Sequence, residues 1–284
     1  DIAFSNSLNK LINVVIDFKG DDKYIAEGFL CSSIIGFSTL IDLDGFDEYF
    51  SGSPGMASAL FGTSILYDYS GNDKYIGTSK YSMGAAIFGA SSLIDLDGDD
   101  YYNSVSYSQG FASTYGVGCL YDKNGNDHYN TDESFYKDRK LPSFVQGAAK
   151  GRWAEATDGK NLSGGIGILI DEKGSDEFYA NSFSQGASYY FGLGLFLNKV
   201  GTDNYNALSH SQGYGAHYTL ASFIDEFGDD TYNKNSKSNM LTQIIGSGRD
   251  LSIGIFQDFN GDDLYYFGNR SLAIGDMNGI GVFI

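Results

Sequence analysis

The sequence contains few cysteines, few prolines and few basic residues. Of its 284 residues only 2 are Cys and 2 are Pro, and 18 Lys plus Arg stand against 36 Asp plus Glu. The formal charge of −18 argues against the clustered basic surface that nucleic acids and anionic membranes require. We therefore expect no nucleic-acid partner and regard cations as the more natural partners.

Other absences narrow the class of protein. Cys31 and Cys119 fall at different places in the repeat described below, too far apart for a disulfide, so both are expected to be small core residues. No apolar run reaches about eighteen residues, so no transmembrane segment is expected. The motifs His-Glu-x-x-His, Gly-x-Ser-x-Gly, Gly-Lys-Ser/Thr and Cys-x-x-Cys are also missing, which removes the usual sequence support for several enzyme classes.

The sequence does contain an internal repeat rich in glycine and aromatic residues. The pattern Asp-x-x-Gly-x-Asp-x-aromatic occurs first from Asp17 to Tyr24. It recurs from Asp42, Asp68, Asp95, Asp122, Asp171, Asn198, Asp225 and Asp258. The successive intervals are 25, 26, 27, 27, 49, 27, 27 and 33 residues, which one unit of about 27 residues with insertions explains.

This repeat predicts stacked β-structure. Small and apolar residues alternate before the Asp motif, as in Gly116 to Tyr121, which is typical of a strand with one buried face, and no stretch has a sustained helical period. A unit of this length cannot bury its own apolar face and must stack on its copies. The sequence therefore predicts an all-β fold, a right-handed parallel β-helix (β-solenoid) of about nine to ten coils, as a single domain over residues 1–284.

Stacking would place equivalent residues in columns. The aromatic residues that end each motif are expected to form a stacked ladder: Tyr24, Tyr49, Tyr75, Tyr102, Tyr129, Phe178, Tyr205, Tyr232 and Tyr265. Gln109, Gln146, Gln185 and Gln212 share another column, in which their amides are expected to hydrogen-bond up and down the stack. A sugar-binding strip is the alternative for this second column.

The acidic turns resemble a known calcium-binding repeat. Segments such as Asn124 to Tyr129 and Asn260 to Tyr265 look like the Gly-x-Asp-x-apolar half of the repeats-in-toxin nonapeptide. They depart from that family in their longer spacing and in having Asp where the family places its first Gly. The resemblance implies calcium as a cofactor, bound between successive turns of a parallel β-roll.

A physical argument for a cation is independent of this resemblance. Stacked coils would place the first Asp of every motif in one column and the second Asp in another. Neighbouring carboxylates within a column would lie about 5 Å apart and repel each other, and calcium would offset that repulsion. The predicted metal ligands are Asp42, Asp44, Asp47, Asp68, Asp73, Asp95, Asp97, Asp100, Asp122 and Asp127. The alternative is that each Asp only accepts backbone N–H bonds within its own turn.

Insertions near residues 131–141, 150–163 and 235–250 interrupt the regular coils. The first two contain basic residues and the only Trp of an otherwise acidic chain, and insertions in a solenoid often line a binding face. The predicted site for an anionic ligand or a sugar consists of Arg152, Trp153, Glu155, Tyr190 and His217. The alternative is that Trp153 covers exposed core and His217 is an ordinary surface residue.

Functions of different classes remain open at this point. Regularity and acidity favour a structural or adhesive β-solenoid of an exported or cell-surface assembly of bacterial type. We expect it to self-associate or to contact neighbouring subunits through its ends. The sequence is then a fragment of a longer chain or part of an open-ended stack. By analogy of fold, a polysaccharide-active lyase or glycosidase, or a carbohydrate-binding module, is the alternative. Its acid–base candidates are Glu155, Asp158, Arg152 and His217, and no catalytic residue is assigned.

Overall fold

The computed structural model describes residues 11–131, 143–236 and 238–284. Their strands form a β-solenoid of ten coils, in which every pairing between strands is parallel and joins one coil to the next. The predicted fold class and the coil length of about 27 residues are therefore confirmed. Among the described residues, no helix has the length and apolar character needed to cross a membrane.

The first sheet takes one strand from every coil. Its strands are Ile12–Ile16, Phe37–Asp42, Thr63–Asp68, Ala90–Ile94, Val117–Asp122, Ile166–Asp171, Leu193–Asn198, Leu220–Asp225, Ile253–Asp258 and Ile280–Phe283. The strand register reproduces the sequence intervals, since Val117 pairs with Ile166 across the longest one. The insertions therefore leave the stacking of the coils unchanged.

The second sheet follows the acidic turn in each coil. Its strands are Lys23–Ala26, Glu48–Ser51, Lys74–Gly77, Tyr101–Ser104, His128–Thr131, Glu177–Tyr179, Asn204–Asn206, Thr231–Tyr232 and Leu264–Tyr265. A third, shorter set consists of Ser58–Ala59, Ala85–Ala86, Ala149–Lys150, Ser188–Tyr189, Gly215–Ala216, Gly248–Arg249 and Gly275–Asp276. The single short 3-10 helix among the described residues is Ser238–Met240.

The core is a continuous column between the first two sheets. The first sheet buries Leu40, Leu66, Leu93, Leu120, Leu169, Phe196, Phe223 and Phe256. The second sheet buries the predicted aromatic ladder, whose neighbouring ring centroids are 4.5–5.1 Å apart. The expected aromatic ladder is therefore confirmed, and each coil buries its apolar face only against its neighbours.

The glutamine column differs from its prediction. Gln146 has a φ of 57°, a left-handed corner conformation, and its Nε2 donates across the interior to the carbonyl oxygens of Tyr129 (3.2 Å) and Tyr179 (3.4 Å) in the second sheet. Gln109 donates in the same way to the carbonyl of Asn130. Both amides thus bond to the next coil, as predicted, but their acceptors are backbone carbonyls of the second sheet and not the neighbouring glutamines.

Two smaller features complete the architecture. Cys31 is fully buried, whereas Cys119 is only half-buried, because alternation along its strand turns it away from the core that Leu120 enters; the core prediction is therefore wrong for Cys119. The insertion near 150–163 is closed at its base by an antiparallel bridge between Arg152 and Leu162. Apart from Thr131, the insertion near 131–141 lies outside the described residues.

Candidate functional site

The acidic turns stack in backbone contact. A Cβ atom added to Gly98 would lie 1.5 Å from the carbonyl oxygen of Gly71 in the preceding coil, so only glycine fits between two stacked turns. The equivalent glycines Gly125 and Gly261 meet the preceding turn just as closely, at 1.6 and 1.5 Å. This close approach brings the aspartates that flank each glycine into register with those of the neighbouring coils.

The second Asp of each motif holds two coils together. Its Oδ1 accepts the backbone N–H of the equivalent Asp in the preceding coil, at 2.6 Å both from Asp73 to Asp100 and from Asp100 to Asp127. The same bond recurs along the column from Asp22 to Asp263. The predicted acceptance of N–H groups within one turn is therefore confirmed for first aspartates such as Asp42 and Asp95, whereas the second Asp links neighbouring coils.

The first Asp of each motif is bound by a tyrosine of the core ladder. The hydroxyl of Tyr102 donates to Oδ2 of Asp122 in the next coil at 2.6 Å, and Tyr129 donates to Asp171 at 2.7 Å. Burial, followed by the charge of Asp122, raises the pKa of Tyr102 well above its usual value, so the hydroxyl keeps its proton and remains a donor. These bonds were not expected from the sequence.

One coil lacks this pair, and both partners change together. Phe178 takes the place of the tyrosine, and Asn198 takes the place of the aspartate that this tyrosine would bind. The amide of Asn198 instead donates to Oδ2 of Asp203 at 3.0 Å. A buried carboxylate without its hydroxyl donor would be costly, so this paired change was the sequence signal that could have revealed the Tyr–Asp bonds.

After these bonds are made, most coils keep buried carboxylate oxygens without a hydrogen-bond partner. Examples are Oδ2 of Asp73, Asp100 and Asp127, and Oδ1 of Asp122 and Asp171. Such residues form trios in which one ligand oxygen from each member lies within 4.8 Å of the others. Five of these trios are Asp47–Asp68–Asp73, Asp73–Asp95–Asp100, Asp100–Asp122–Asp127, Asp127–Asp171–Asp176 and Asp203–Asp225–Asp230. We call this set the carboxylate string, because the first four trios share members.

The carboxylate string is electrostatically unbalanced. All of its members are at most 1% exposed, and among the described residues none forms an ion pair with Lys or Arg. Burial, followed by the charge of Asp95, raises the pKa of Asp100 to about 11. Burial also raises the pKa of Asp73 to about 8, even though a backbone N–H bond opposes the shift. The bare string therefore favours neutralisation by protons or by cations.

The predicted metal ligands divide into two groups. Seven of the ten belong to trios: Asp47, Asp68, Asp73, Asp95, Asp100, Asp122 and Asp127. Asp42 is buried and accepts the hydroxyl of Tyr24 at 2.5 Å. Asp44 and Asp97 are exposed and lie outside the trios that are described above. Asp44 and Asp97 are thus turned towards solvent by the same alternation that buries the aspartates beside them.

The predicted ligand-binding residues come together in part. Arg152 and Trp153 line a groove of about 500 Å³. The indole of Trp153 is stacked with the ring of His217, with centroids 5.8 Å apart, and His217 Nδ1 lies 2.5 Å from Oδ2 of Asp250. The sequence analysis missed the aromatic residues that line this groove, although one of them occurs in each successive coil: Tyr81, Tyr107, Phe144 and Phe183.

The other two predicted residues lie apart from the groove. Tyr190 is 6% exposed and packs edge-on against Phe191, while Glu155 is exposed. Asp158 forms an ion pair with Arg152 at 2.7 Å. Both Arg152 and His217 thus already have carboxylate partners, and the enzyme hypothesis remains a prediction.

The stacked Gly-x-Asp turns agree with the parallel stacking that the repeats-in-toxin resemblance implies, at a coil length of about 27 residues. Calcium, which the same resemblance implies, depends instead on the chemistry of the carboxylate string. Comparison of the chain with family models, with curated proteins and with solved structures finds no match in any of the three.

Proposed function

We propose that the chain is a structural β-solenoid whose carboxylate string is neutralised by divalent cations, with calcium as the preferred ion. The observation that carries this proposal is the series of buried trios, most of whose carboxylates retain an oxygen without a hydrogen-bond partner. In most coils the Tyr–Asp and Asp–backbone bonds already use one oxygen of each carboxylate. The remaining oxygens are left to share a positive charge.

Neutralising the carboxylate string by protons alone would cost much of the folding free energy. An aspartate with an ordinary pKa of about 3.9 that must hold a proton at pH 7 costs about 4 kcal/mol of folding free energy. Leaving the carboxylate charged and unpaired costs several kcal/mol as well. Repeated over these trios, either cost exceeds the whole net stability of a domain, about 5–15 kcal/mol. Cations taken from solution remove both costs.

The chemistry of the trios favours calcium among the common cations. Their ligands are oxygens only, and the 4.8 Å within which they lie is about twice a calcium–oxygen distance of about 2.4 Å. Mg²⁺ keeps several of its waters, which suits these buried carboxylates poorly. Most coils add two carboxylates to the string, so about one divalent ion per coil would balance the charge.

A calcium-dependent rod suits an exported or cell-surface assembly. Extracellular calcium modules bind the ion with dissociation constants of about 10⁻⁴–10⁻³ M, which suffice where calcium is abundant. We extend the proposal to an adhesive or structural role and to self-association through the solenoid ends. Sedimentation velocity with and without calcium tests the last point, since self-association predicts species larger than a monomer.

The decisive experiment counts bound calcium and measures its effect on stability. We expect the purified chain to retain calcium in elemental analysis and to lose thermal stability when a chelator is added, with Mg²⁺ restoring less than Ca²⁺. Asp100→Asn changes a member of two trios and should lower both the calcium content and the chelator effect. Asp99→Asn, at the exposed neighbouring position, is the matched control and should change neither. A chain without bound calcium and indifferent to chelator refutes the proposal.

A further inference from the structure

A second aromatic ladder lies outside the solenoid core. The rings of Tyr81, Tyr107, Phe144 and Phe183 stack in successive coils with centroids 5.3, 5.7 and 4.9 Å apart. They form the floor of the groove that Arg152 and Trp153 line. Its volume of about 500 Å³ lies in the usual range of ligand sites, about 300–1,000 Å³.

The floor offers few open ring faces. Each ring in this ladder is stacked with its neighbours at interplanar angles of 9–24°, so the ring faces are occupied along the solenoid axis. Nucleobases bind by stacking on open ring faces, and the faces within this ladder are already occupied by its own rings.

Two lysines supply positive charge beside the floor. Lys150 Nζ lies 5.3 Å from the ring centroid of Tyr107 and 5.0 Å from that of Phe144, and Lys80 Nζ lies 5.6 Å from Tyr107. Neither lysine forms an ion pair with any Asp or Glu of the described residues. In a chain with a net charge of −18, two cations without carboxylate partners beside one groove mark a site complementary to an anion.

From this geometry we propose that the groove binds an acidic polysaccharide, one whose sugar units carry carboxylates. The floor runs along the solenoid axis and repeats once per coil, a step close to the length of one sugar unit in an extended chain. Lys80 and Lys150 contact the carboxylates, the hydroxyls of Tyr81 and Tyr107 bond sugar hydroxyls, and Trp153 covers one side. A polymer with regularly spaced charges matches this repeated arrangement better than a small anion does.

Trp153 gives a direct readout of binding. It is the single Trp of the chain, it lines the groove, and it is 45% exposed. The probe is a hexasaccharide of alternating glucuronate and N-acetylglucosamine, titrated into the full chain while Trp fluorescence is recorded. The matched ligand is the same hexasaccharide after chemical reduction of its carboxylates. We expect saturable binding of the acidic form and at least about tenfold weaker binding of the reduced form.

Variants locate the binding site. Lys150→Gln and Tyr107→Leu should each weaken binding of the acidic hexasaccharide by about tenfold. The controls are Lys74→Gln, an exposed lysine paired with Glu48, and Tyr218→Leu, a half-exposed ring outside the groove. Circular dichroism checks that every variant keeps its fold.

Several outcomes would overturn this proposal. They are the absence of binding, equal affinity for the reduced ligand, and equal weakening by the control variants. Self-association that Tyr107→Leu abolishes would also overturn it, since a second copy of the chain would then cover the groove.

Discussion

The bond between a core tyrosine and an aspartate of the next coil can be measured by a double-mutant cycle on Tyr102 and Asp122. The Tyr102 hydroxyl donates to Oδ2 of Asp122 at 2.6 Å, and both residues are fully buried. Tyr102→Phe removes this donor and leaves the carboxylate oxygen without a partner. We expect it to lower the free energy of unfolding by about 2–3 kcal/mol, the range for a bond to a charged group.

The second arm of the cycle uses the natural exception as its guide. In the Asp122→Asn background the side chain is neutral and can turn its amide towards Asp127, as Asn198 does towards Asp203 at 3.0 Å. There Tyr102→Phe should cost about 1 kcal/mol or less, which gives a coupling energy of about 1–2 kcal/mol.

The assay is urea unfolding followed by circular dichroism in calcium-containing buffer. Tyr115→Phe, at a ring that is 63% exposed, is the control and should change stability by less than about 0.5 kcal/mol. If Tyr102→Phe costs the same in both backgrounds, the two groups are not coupled. The interpretation of Phe178 and Asn198 as a compensated pair would then be wrong.

Three further outcomes follow from the stacked geometry. Gly98→Ala places a Cβ 1.5 Å from the carbonyl oxygen of Gly71 and should lower the free energy of unfolding in urea by at least about 3 kcal/mol. The control, Gly159→Ala, lies in open space at a φ of 68° and should lower it by only about 1 kcal/mol. Gln146→Leu removes the donor to two buried carbonyls and should lower thermal stability by about 1–3 kcal/mol. Asn198→Asp combined with Phe178→Tyr continues the carboxylate string and should raise the calcium content by about one ion per chain; an unchanged content contradicts this.

The sequence predicted most of the fold because the solenoid repeats its local rules. The alternation of small and apolar residues predicted the strands, and the motif interval predicted their register. The aromatic residue at the end of each motif predicted the core ladder. Such a fold depends mainly on contacts between neighbouring copies, so a pattern seen in one coil applies to the next. The acceptors of the glutamine amides were not predicted, because they depend on a left-handed corner at Gln146 that residue type alone does not reveal.

The candidate sites were less predictable because they depend on which way individual side chains point relative to the neighbouring coil. The alignment of Asp73 with Asp100 followed from spacing, but the Tyr–Asp bond requires a side chain to reach the next coil, which a single repeat does not show. The sequence identified the groove only at Arg152 and Trp153, since its floor contains residues such as Tyr107 in a left-handed corner conformation that residue type does not reveal. The insertion that contains Arg152 and Trp153 correctly indicated the region of the groove, while the regular coils contribute most of the residues that line it.

The stability of the chelated protein as a function of pH, repeated in millimolar calcium, tests the central claim most directly. Burial raises the pKa of Asp73 to about 8 and that of Asp230 to about 9, so the folded chain holds protons that unfolded aspartates release above about pH 4. Without cations, stability should therefore be highest near pH 4 and fall towards pH 8, by about 1.4 kcal/mol per pH unit for each retained proton. Calcium should remove this decline, and its stabilising effect should grow with pH. A chelated protein as stable at about pH 8 as at about pH 4.5 contradicts the account, as does a decline that calcium leaves unchanged.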